Sequence, residues 1–102
     1  MVHVLAFINA RPRQRDAVLE AFNAIVPMVR AEDGCIEYGA TVDAEDVGSI
    51  QTEIGADAFV VVERWESLDA LKAHAASDHM AVYGLKVRDM LESRVIHVLS
   101  PT

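Results

Sequence analysis

The sequence predicts an α+β fold of the ferredoxin-like class, with one antiparallel sheet built in the order β-α-β-β-α-β and its helices on one face. Four short runs rich in Val, Ile and aromatic residues predict the strands. Amphipathic stretches between the first and second runs, and between the third and fourth, predict the helices. The 102 residues match the size of one compact domain, so we expect a single domain over residues 1–102.

The first half of the chain predicts a strand, a helix and a second strand. Strand β1 is predicted at residues 2–8, an almost wholly apolar run followed by Asn-Ala-Arg-Pro. Helix α1 is predicted at residues 14–31, where apolar side chains recur at helical spacing. Pro27 lies inside this helix and lacks a backbone N–H, so we expect a kink or an early end. Strand β2 is predicted at residues 35–43, and residues 44–58 predict a loop or an irregular hairpin.

The second half predicts the strongest strand, a broken helix and a last strand. Strand β3 is predicted at residues 59–65, where β-branched and aromatic residues dominate. Ser67 predicts the N-cap of a short helix α2, and Ser77 with Asp78 predicts the cap of a separate helix α3. Strand β4 is predicted at residues 94–99.

The net charge disfavours several classes of partner, and the cysteine count indicates the redox compartment. The net charge is −7 and the sequence pI is near 4.9, which disfavours nucleic acid and anionic membranes as partners. Eight of the acids lie between Glu32 and Asp57 with no Lys or Arg among them, which indicates a solvated acidic segment. A single cysteine, Cys35, precludes an internal disulfide and favours the cytoplasm. The apolar start of the chain is too short for a signal peptide or a membrane span.

The predicted strands β1, β3 and β4 are apolar on both faces. Helices cover only one face of a ferredoxin-like sheet, so a monomer would leave apolar side chains of the other face in water. A two-fold pairing buries the same patch on both chains. We therefore expect a homodimer.

Two histidines, His74 and His79, are the sharpest candidates for chemistry. A helical metal pair needs four-residue spacing, and five residues turn the second imidazole about 140° away on an unbroken helix. With one cysteine and no third histidine nearby, the sequence does not predict a metal site. A break at Ser77 and Asp78 would instead turn both imidazoles towards one cavity beside Tyr83, as acid–base or substrate-orienting groups. Capping or surface hydrogen bonds are the alternative.

Glu63 and Trp65 share one face of β3 because side chains alternate along a strand. If helices cover that face, Glu63 is a carboxylate in an apolar setting, where its protonated form is favoured and it can act as a general acid or base. Pairing with Arg64 or Arg94 at the strand edge is the alternative. Tyr38 on β2 is a packing residue or a substrate contact.

The chain resembles the antibiotic biosynthesis monooxygenase superfamily, and within it the bacterial quinol monooxygenase branch. The motifs that carry the resemblance are Glu63-x-Trp65-Glu66-Ser67, Ala70-Leu71-x-Ala73-His74, His79-Met80-x-x-Tyr83, Ile25-Val26-Pro27 and Gly34-Cys35. The resemblance implies a dimeric α+β barrel that oxygenates a quinol or polycyclic phenol with O₂ in an apolar pocket, without metal, flavin or other cofactor. By that resemblance the matching positions have three kinds of role. The base or orienting groups would be His74 and His79. The hydrogen-bond donor would be Tyr83, with Glu63 beneath it. The substrate contacts would be Trp65, Tyr38 and Met80.

Two departures and two alternatives qualify the resemblance. Haem-degrading members have Trp at the position of His74 and His at that of Gly84, so we do not expect haem oxygenase activity. The superfamily includes an isomerase of a small phosphorylated ketone, whose anionic substrate would need clustered Arg or Lys. A ligand-binding or stress-response module without turnover is the other alternative. The acidic segment from Asp43 to Asp57 governs substrate choice only if it borders the pocket.

Overall fold

The computed structural model describes residues 1–102 and contains four strands and three α-helices. Their order confirms the predicted β-α-β-β-α-β arrangement with the second helix divided in two. The elements are β1 Val2–Ala10, α1 Arg15–Arg30, β2 Cys35–Thr41, β3 Ala58–Trp65, α2 Leu68–Ala75, α3 Asp78–Val87 and β4 Leu91–Leu99, with a single 3₁₀ turn at Arg88–Met90 before β4.

The strands form one antiparallel sheet in the order β2-β3-β1-β4, as the ferredoxin-like prediction requires. On the face covered by the helices, Val4 of β1 lies between Glu63 of β3 and Val98 of β4. On the other face, which we call the outer face, Leu5 lies between Val62 and His97. The register therefore decides which side chains can reach a pocket beneath the helices.

The core lies between the sheet and α1, and aromatic side chains occupy its centre. Phe22 of α1 packs on Phe59 of β3, with ring centroids 6.0 Å apart, and both side chains are almost fully buried. Val18 and Val29 of the same helix are completely buried, one turn or more on either side of Phe22. Burial of each such side chain contributes about 1.5–3 kcal/mol to the stability of the fold. The apolar residues predicted at helical spacing therefore hold α1 against the sheet.

The expected early end of α1 at Pro27 is wrong, because the helix continues to Arg30. Pro27 and Asn23 are both exposed, so the carbonyl of Asn23 that loses its helical partner lies on the solvent side of the helix. The N–H of Ala31 donates to the Pro27 carbonyl at 3.2 Å, which closes the last turn. A carbonyl on the solvent side costs less when it loses its helical partner than a buried one would, so the helix persists.

The chain breaks between α2 and α3 as predicted, but the hydrogen bond that Ser77 makes differs from the expected N-cap bond. Ser67 caps α2 as predicted, since its Oγ accepts from the N–H of Ala70 at 3.1 Å. Ser77 precedes α3 and makes no such bond there. Its hydroxyl donates to the carbonyl of His74 at 2.7 Å and closes the end of α2. The serine thus holds the backbone of His74 in place.

Residues 42–57 form an irregular loop, in agreement with the first of the two predicted alternatives. Asp43 organises it, because its carboxylate accepts from the N–H groups of Ile54 and Gly55 at 3.0–3.1 Å and from the side chain of Gln51 at 3.2 Å.

The three α-helices lack the length and apolar character that a membrane span requires.

Candidate active site

A cavity of about 480 Å³ lies between the helix-covered face of the sheet and helices α2 and α3. Thirteen of its 17 lining residues are hydrophobic, and this size and character are typical of a small-molecule site. A neighbouring hollow of about 420 Å³ shares Met80 and Tyr83 with it. The polar and aromatic side chains on the cavity wall are Phe22, Tyr38, Glu63, Lys72, His74, Tyr83 and Arg94.

His74 is the histidine that faces this cavity. Its side chain is almost fully buried, and its Nδ1 lies 2.8 Å from Oε2 of Glu32. A carboxylate only accepts hydrogen bonds, so Nδ1 carries the proton and donates it to Glu32. The other nitrogen, Nε2, has no protein partner and is not sealed from open space. His74 lines the cavity, so Nε2 is the ring nitrogen left for a ligand there, as when a carboxylate orients a catalytic imidazole.

His79 lies behind the same carboxylate and outside the cavity lining. Its Nε2 is 3.1 Å from Oε2 of Glu32, so one oxygen accepts from two imidazoles. The expectation that both histidines face one cavity is therefore met by His74 and not by His79. The break after α2 brings the two imidazoles near each other, and the carboxylate of Glu32, which follows α1, lies between them.

Glu63 is buried on the helix-covered face and pairs with neither Arg64 nor Arg94. Its Oε1 accepts from the indole N–H of Trp65 at 2.9 Å, whereas Arg64 pairs with Glu37 on the exposed side of the sheet. Burial raises the pKa of Glu63 above its ordinary value, and the indole hydrogen bond and the nearby His74 offset part of that rise. The second oxygen, Oε2, has no protein partner, and Glu63 lines the cavity, so this oxygen is free to bond a ligand there.

Trp65 supports the site from beneath, which corrects its expected role as a substrate contact. The side chain is completely buried and is not part of the cavity lining. Its ring lies 4.7 Å from the ring of His74, centroid to centroid. Trp65 therefore fixes the imidazole by packing and Glu63 by its hydrogen bond.

Two tyrosines contribute phenol groups to the cavity, as Tyr38 lies on β2 and Tyr83 on α3. Phe22 packs between them, stacked on Tyr38 at 5.2 Å and edge-on to Tyr83 at 6.1 Å. Burial raises the pKa of Tyr83 to about 12, although Arg94 opposes the rise. Burial also raises the pKa of Tyr38, and the charge of Glu63 adds to that rise. Both hydroxyls are thus protonated at neutral pH and available as hydrogen-bond donors.

The sequence reasoning missed Glu32, which it assigned to the solvated acidic segment. The side chain is only 16% exposed. It reaches His74 because the turn after α1 packs directly on the start of α2. Gly34 in that turn has φ +84°, and a Cβ there would lie 2.6 Å from that of Ala70. Gly34 after the acids Glu32 and Asp33 is the only local signal, and it does not indicate a partner 42 residues away.

The acidic loop does not contribute to this cavity, since none of residues 42–57 lines it. Met80 does line it, as predicted for a substrate contact. The cations on its wall are Lys72 and Arg94, and neither forms an ion pair.

The fold and the cavity define an α+β protein of the ferredoxin-like class with an apolar pocket under its helices. A sequence model of the family described as "Antibiotic biosynthesis monooxygenase" matches residues 1–83. An Escherichia coli K12 protein described as "Probable quinol monooxygenase YgiN" is 41% identical over 99% of this chain and 98% of its own length.

Solved structures agree with the sequence comparisons. Rv0793 from Mycobacterium tuberculosis superposes with a TM-score of 0.80 at 30% identity, covering 99% of this chain and 94% of its own. PA3566 from Pseudomonas aeruginosa superposes with a TM-score of 0.81 at 25% identity, covering 99% and 93% respectively. The chain belongs to the antibiotic biosynthesis monooxygenase family, which confirms the resemblance read from its motifs.

Proposed function

We propose that this protein is a cofactor-independent monooxygenase that oxidises a quinol or polycyclic phenol with O₂, and that His74 removes the phenolic proton. The observation that carries the proposal is the placement of His74, which lines the cavity while Glu32 holds its Nδ1 and leaves Nε2 without a protein partner. The name of the E. coli relative supports a quinol as the substrate class.

The cavity supports an aromatic substrate of two or three fused rings. A volume of about 480 Å³ with mostly apolar walls favours a flat hydrocarbon body over a small polar metabolite. Phe22 and Met80 offer ring and sulfur contacts to such a body. Lys72 and Arg94 are the two cations on its wall, so the cavity lacks the cluster of cations that a phosphorylated ketone would need. This is why we prefer oxygenation to isomerisation.

The chemistry begins with proton transfer. The substrate hydroxyl donates to Nε2 of His74, and the imidazolium that forms is stabilised by Glu32 on its other side. The hydroxyls of Tyr38 and Tyr83 then donate to the phenolate, which is a stronger electron donor than the phenol. The phenolate passes an electron to O₂, the radical pair combines to form a C–O bond at a ring carbon, and His74 returns its proton to give a hydroperoxide. Glu63 then donates a proton to the outer oxygen as the O–O bond breaks and water leaves, and it regains a proton from the same ring carbon as the hydroxyquinone forms. The balance is one quinol and one O₂ giving one hydroxyquinone and one water.

The test uses chelator-treated protein, menadiol as the quinol and isotopically labelled O₂. We expect O₂ uptake above the autoxidation rate and a hydroxyquinone that carries one labelled oxygen. Autoxidation alone gives the quinone without label, so product mass separates the two reactions. Uptake no faster than autoxidation, or a product without label, would contradict the proposal. If menadiol and many other aromatics stabilise the protein and none is turned over, it is a binding module.

We also propose that the protein is a homodimer that pairs through the outer face of the sheet. Apolar side chains of three strands lie together there and no helix covers them. They are Leu5, Phe7, Val60, Val62, Val95 and Leu99. Val95 is 50% exposed and Leu99 is 44% exposed in the single chain. An apolar patch of this extent on a sheet favours a self-complementary partner.

A further inference from the structure

The cluster behind the cavity wall has the composition of a metal site. Oε2 of Glu32, Nδ1 of His74 and Nε2 of His79 all lie within 4.8 Å of one another. In a tetrahedral zinc site with bonds of 2.0–2.2 Å, ligand atoms lie about 3.2–3.6 Å apart. The two imidazole nitrogens are 2.8 and 3.1 Å from the carboxylate oxygen, so these two contacts need to widen by less than about 1 Å to admit a cation.

Three separate segments of the chain hold these ligands, and contacts outside the site fix the segments of Glu32 and His74. Glu32 follows α1 in the turn that Gly34 packs against α2. His74 is held by the hydroxyl of Ser77 at its carbonyl and by the ring of Trp65. The site is thus organised before any ligand arrives, which lowers the cost of binding.

The ligand types select the class of cation. Two imidazoles and one carboxylate suit Zn²⁺ and its neighbours in the first transition row, whereas Mg²⁺ and Ca²⁺ prefer oxygen ligands. The side chains of His79 and Glu32 are 24% and 16% exposed, so an ion has a path from solvent and a water can complete its coordination.

We propose that Glu32, His74 and His79 bind one Zn²⁺-like divalent cation per chain, outside the substrate cavity. The cation replaces the protons that the two imidazoles share with Glu32, so binding releases protons. His74 then carries the metal on Nδ1 and still presents Nε2 to the cavity. A cation on Nδ1 withdraws electron density from the ring and makes Nε2 a weaker base. If the proposed oxidation holds, the cation is therefore an inhibitor of it, and not a cofactor.

The test titrates chelator-treated protein with Zn²⁺ alone, in a buffer that does not bind metal. We expect one equivalent per chain, release of protons, and perturbed imidazole ¹⁵N resonances of His74 and His79. His79→Ala and Glu32→Gln should each weaken binding at least about tenfold, with folding checked by circular dichroism. His97→Ala, which removes an imidazole from the outer face, should leave binding unchanged.

Two binding results would contradict the proposed cation site. The absence of saturable binding, or binding equally strong in His79→Ala and Glu32→Gln, would overturn the site. Because the binding readout needs no turnover, it stands apart from the menadiol assay. Quinol oxidation without Zn²⁺ binding would reject only the cation site, and Zn²⁺ binding without oxidation would reject only the enzyme proposal.

Discussion

Oε2 of Glu32 lies 2.8 Å from Nδ1 of His74, and this contact joins two residues 42 positions apart in the chain. It determines which nitrogen of the imidazole carries the proton and which one faces the cavity. It also explains why His74, and not His79, is our candidate base.

Removing the imidazole of His74 should abolish most of the quinol oxidation. We expect His74→Ala to lower kcat by about 10²–10⁴-fold, the usual contribution of a general base. Added imidazole should restore part of the rate, since it can enter the space that the side chain leaves. Steady-state O₂ uptake measures both effects. A variant that retains kcat within about twofold would exclude His74 as the base.

Glu32 should act through His74 as a positioning residue. We expect Glu32→Gln to lower kcat by about 10- to 100-fold with little change in KM, because the amide cannot hold the imidazole tautomer or stabilise its cation. Glu32→Asp should recover part of the rate. An equal change in kcat and KM for both variants, or none, would indicate a purely structural role.

Glu63→Gln should stabilise the fold while it impairs the reaction. The pKa of Glu63 is raised in the folded protein by burial, so the folded state loses stability as pH rises from the unfolded pKa through the folded one. The amide keeps an acceptor for the indole of Trp65 and does not titrate, so the pH-dependent cost of burying the carboxyl is removed. We expect a gain on the order of 1 kcal/mol at pH 7, shrinking as pH falls towards 4.5.

Urea unfolding at several pH values measures the effect of Glu63→Gln. Glu37→Gln is the matched control, since Glu37 is an exposed carboxylate that pairs with Arg64. A loss of stability at pH 7 in Glu63→Gln, or an equal gain in the control, would contradict the interpretation.

Asp43 should make the acidic loop sensitive to low pH. Hydrogen bonds from the N–H groups of Ile54 and Gly55 lower the pKa of Asp43 below 3.8. The carboxylate therefore stabilises the fold above pH 4, and this contribution is lost as pH falls below that value through the folded pKa. Asp43→Asn should remove this pH dependence and speed amide exchange at both residues. Glu45→Gln, a neutralised acid of the same loop, should do neither. Slow exchange retained in Asp43→Asn would contradict the role.

A charge on the outer face should separate the proposed dimer. We expect Val95→Lys to shift the protein to a folded monomer, because a buried unpaired ammonium is costly at an apolar interface. Val82 lies on α3 and is 67% exposed, so Val82→Lys should remain a dimer. Sedimentation velocity at micromolar concentration measures both. A wild-type monomer, or an unchanged Val95→Lys dimer, would reject the interface.

Sequence reasoning predicted the placement of Glu63 and Trp65 on one face of β3 because alternation along a strand is a local property. It could not predict that Trp65 lies below the cavity, since depth within a layer depends on the residues of α2 that pack above it. The same limit applies to His79. Its spacing from His74 is visible in the sequence, whereas the carboxylate between them is contributed by a distant turn.

The order of strands and helices, the break between α2 and α3 and the family of the chain can all be predicted from the sequence. These follow from periodicity, capping residues and short motifs, all of which depend on neighbours along the chain. The contact of Glu32 with His74 and His79, the place of one histidine on the cavity wall and the separation of the acidic loop from that cavity become visible in the folded chain alone. Such contacts depend on the packing of helices on the sheet. Packing brings together residues that are far apart in the chain, and the residues next to each of them do not indicate its partner.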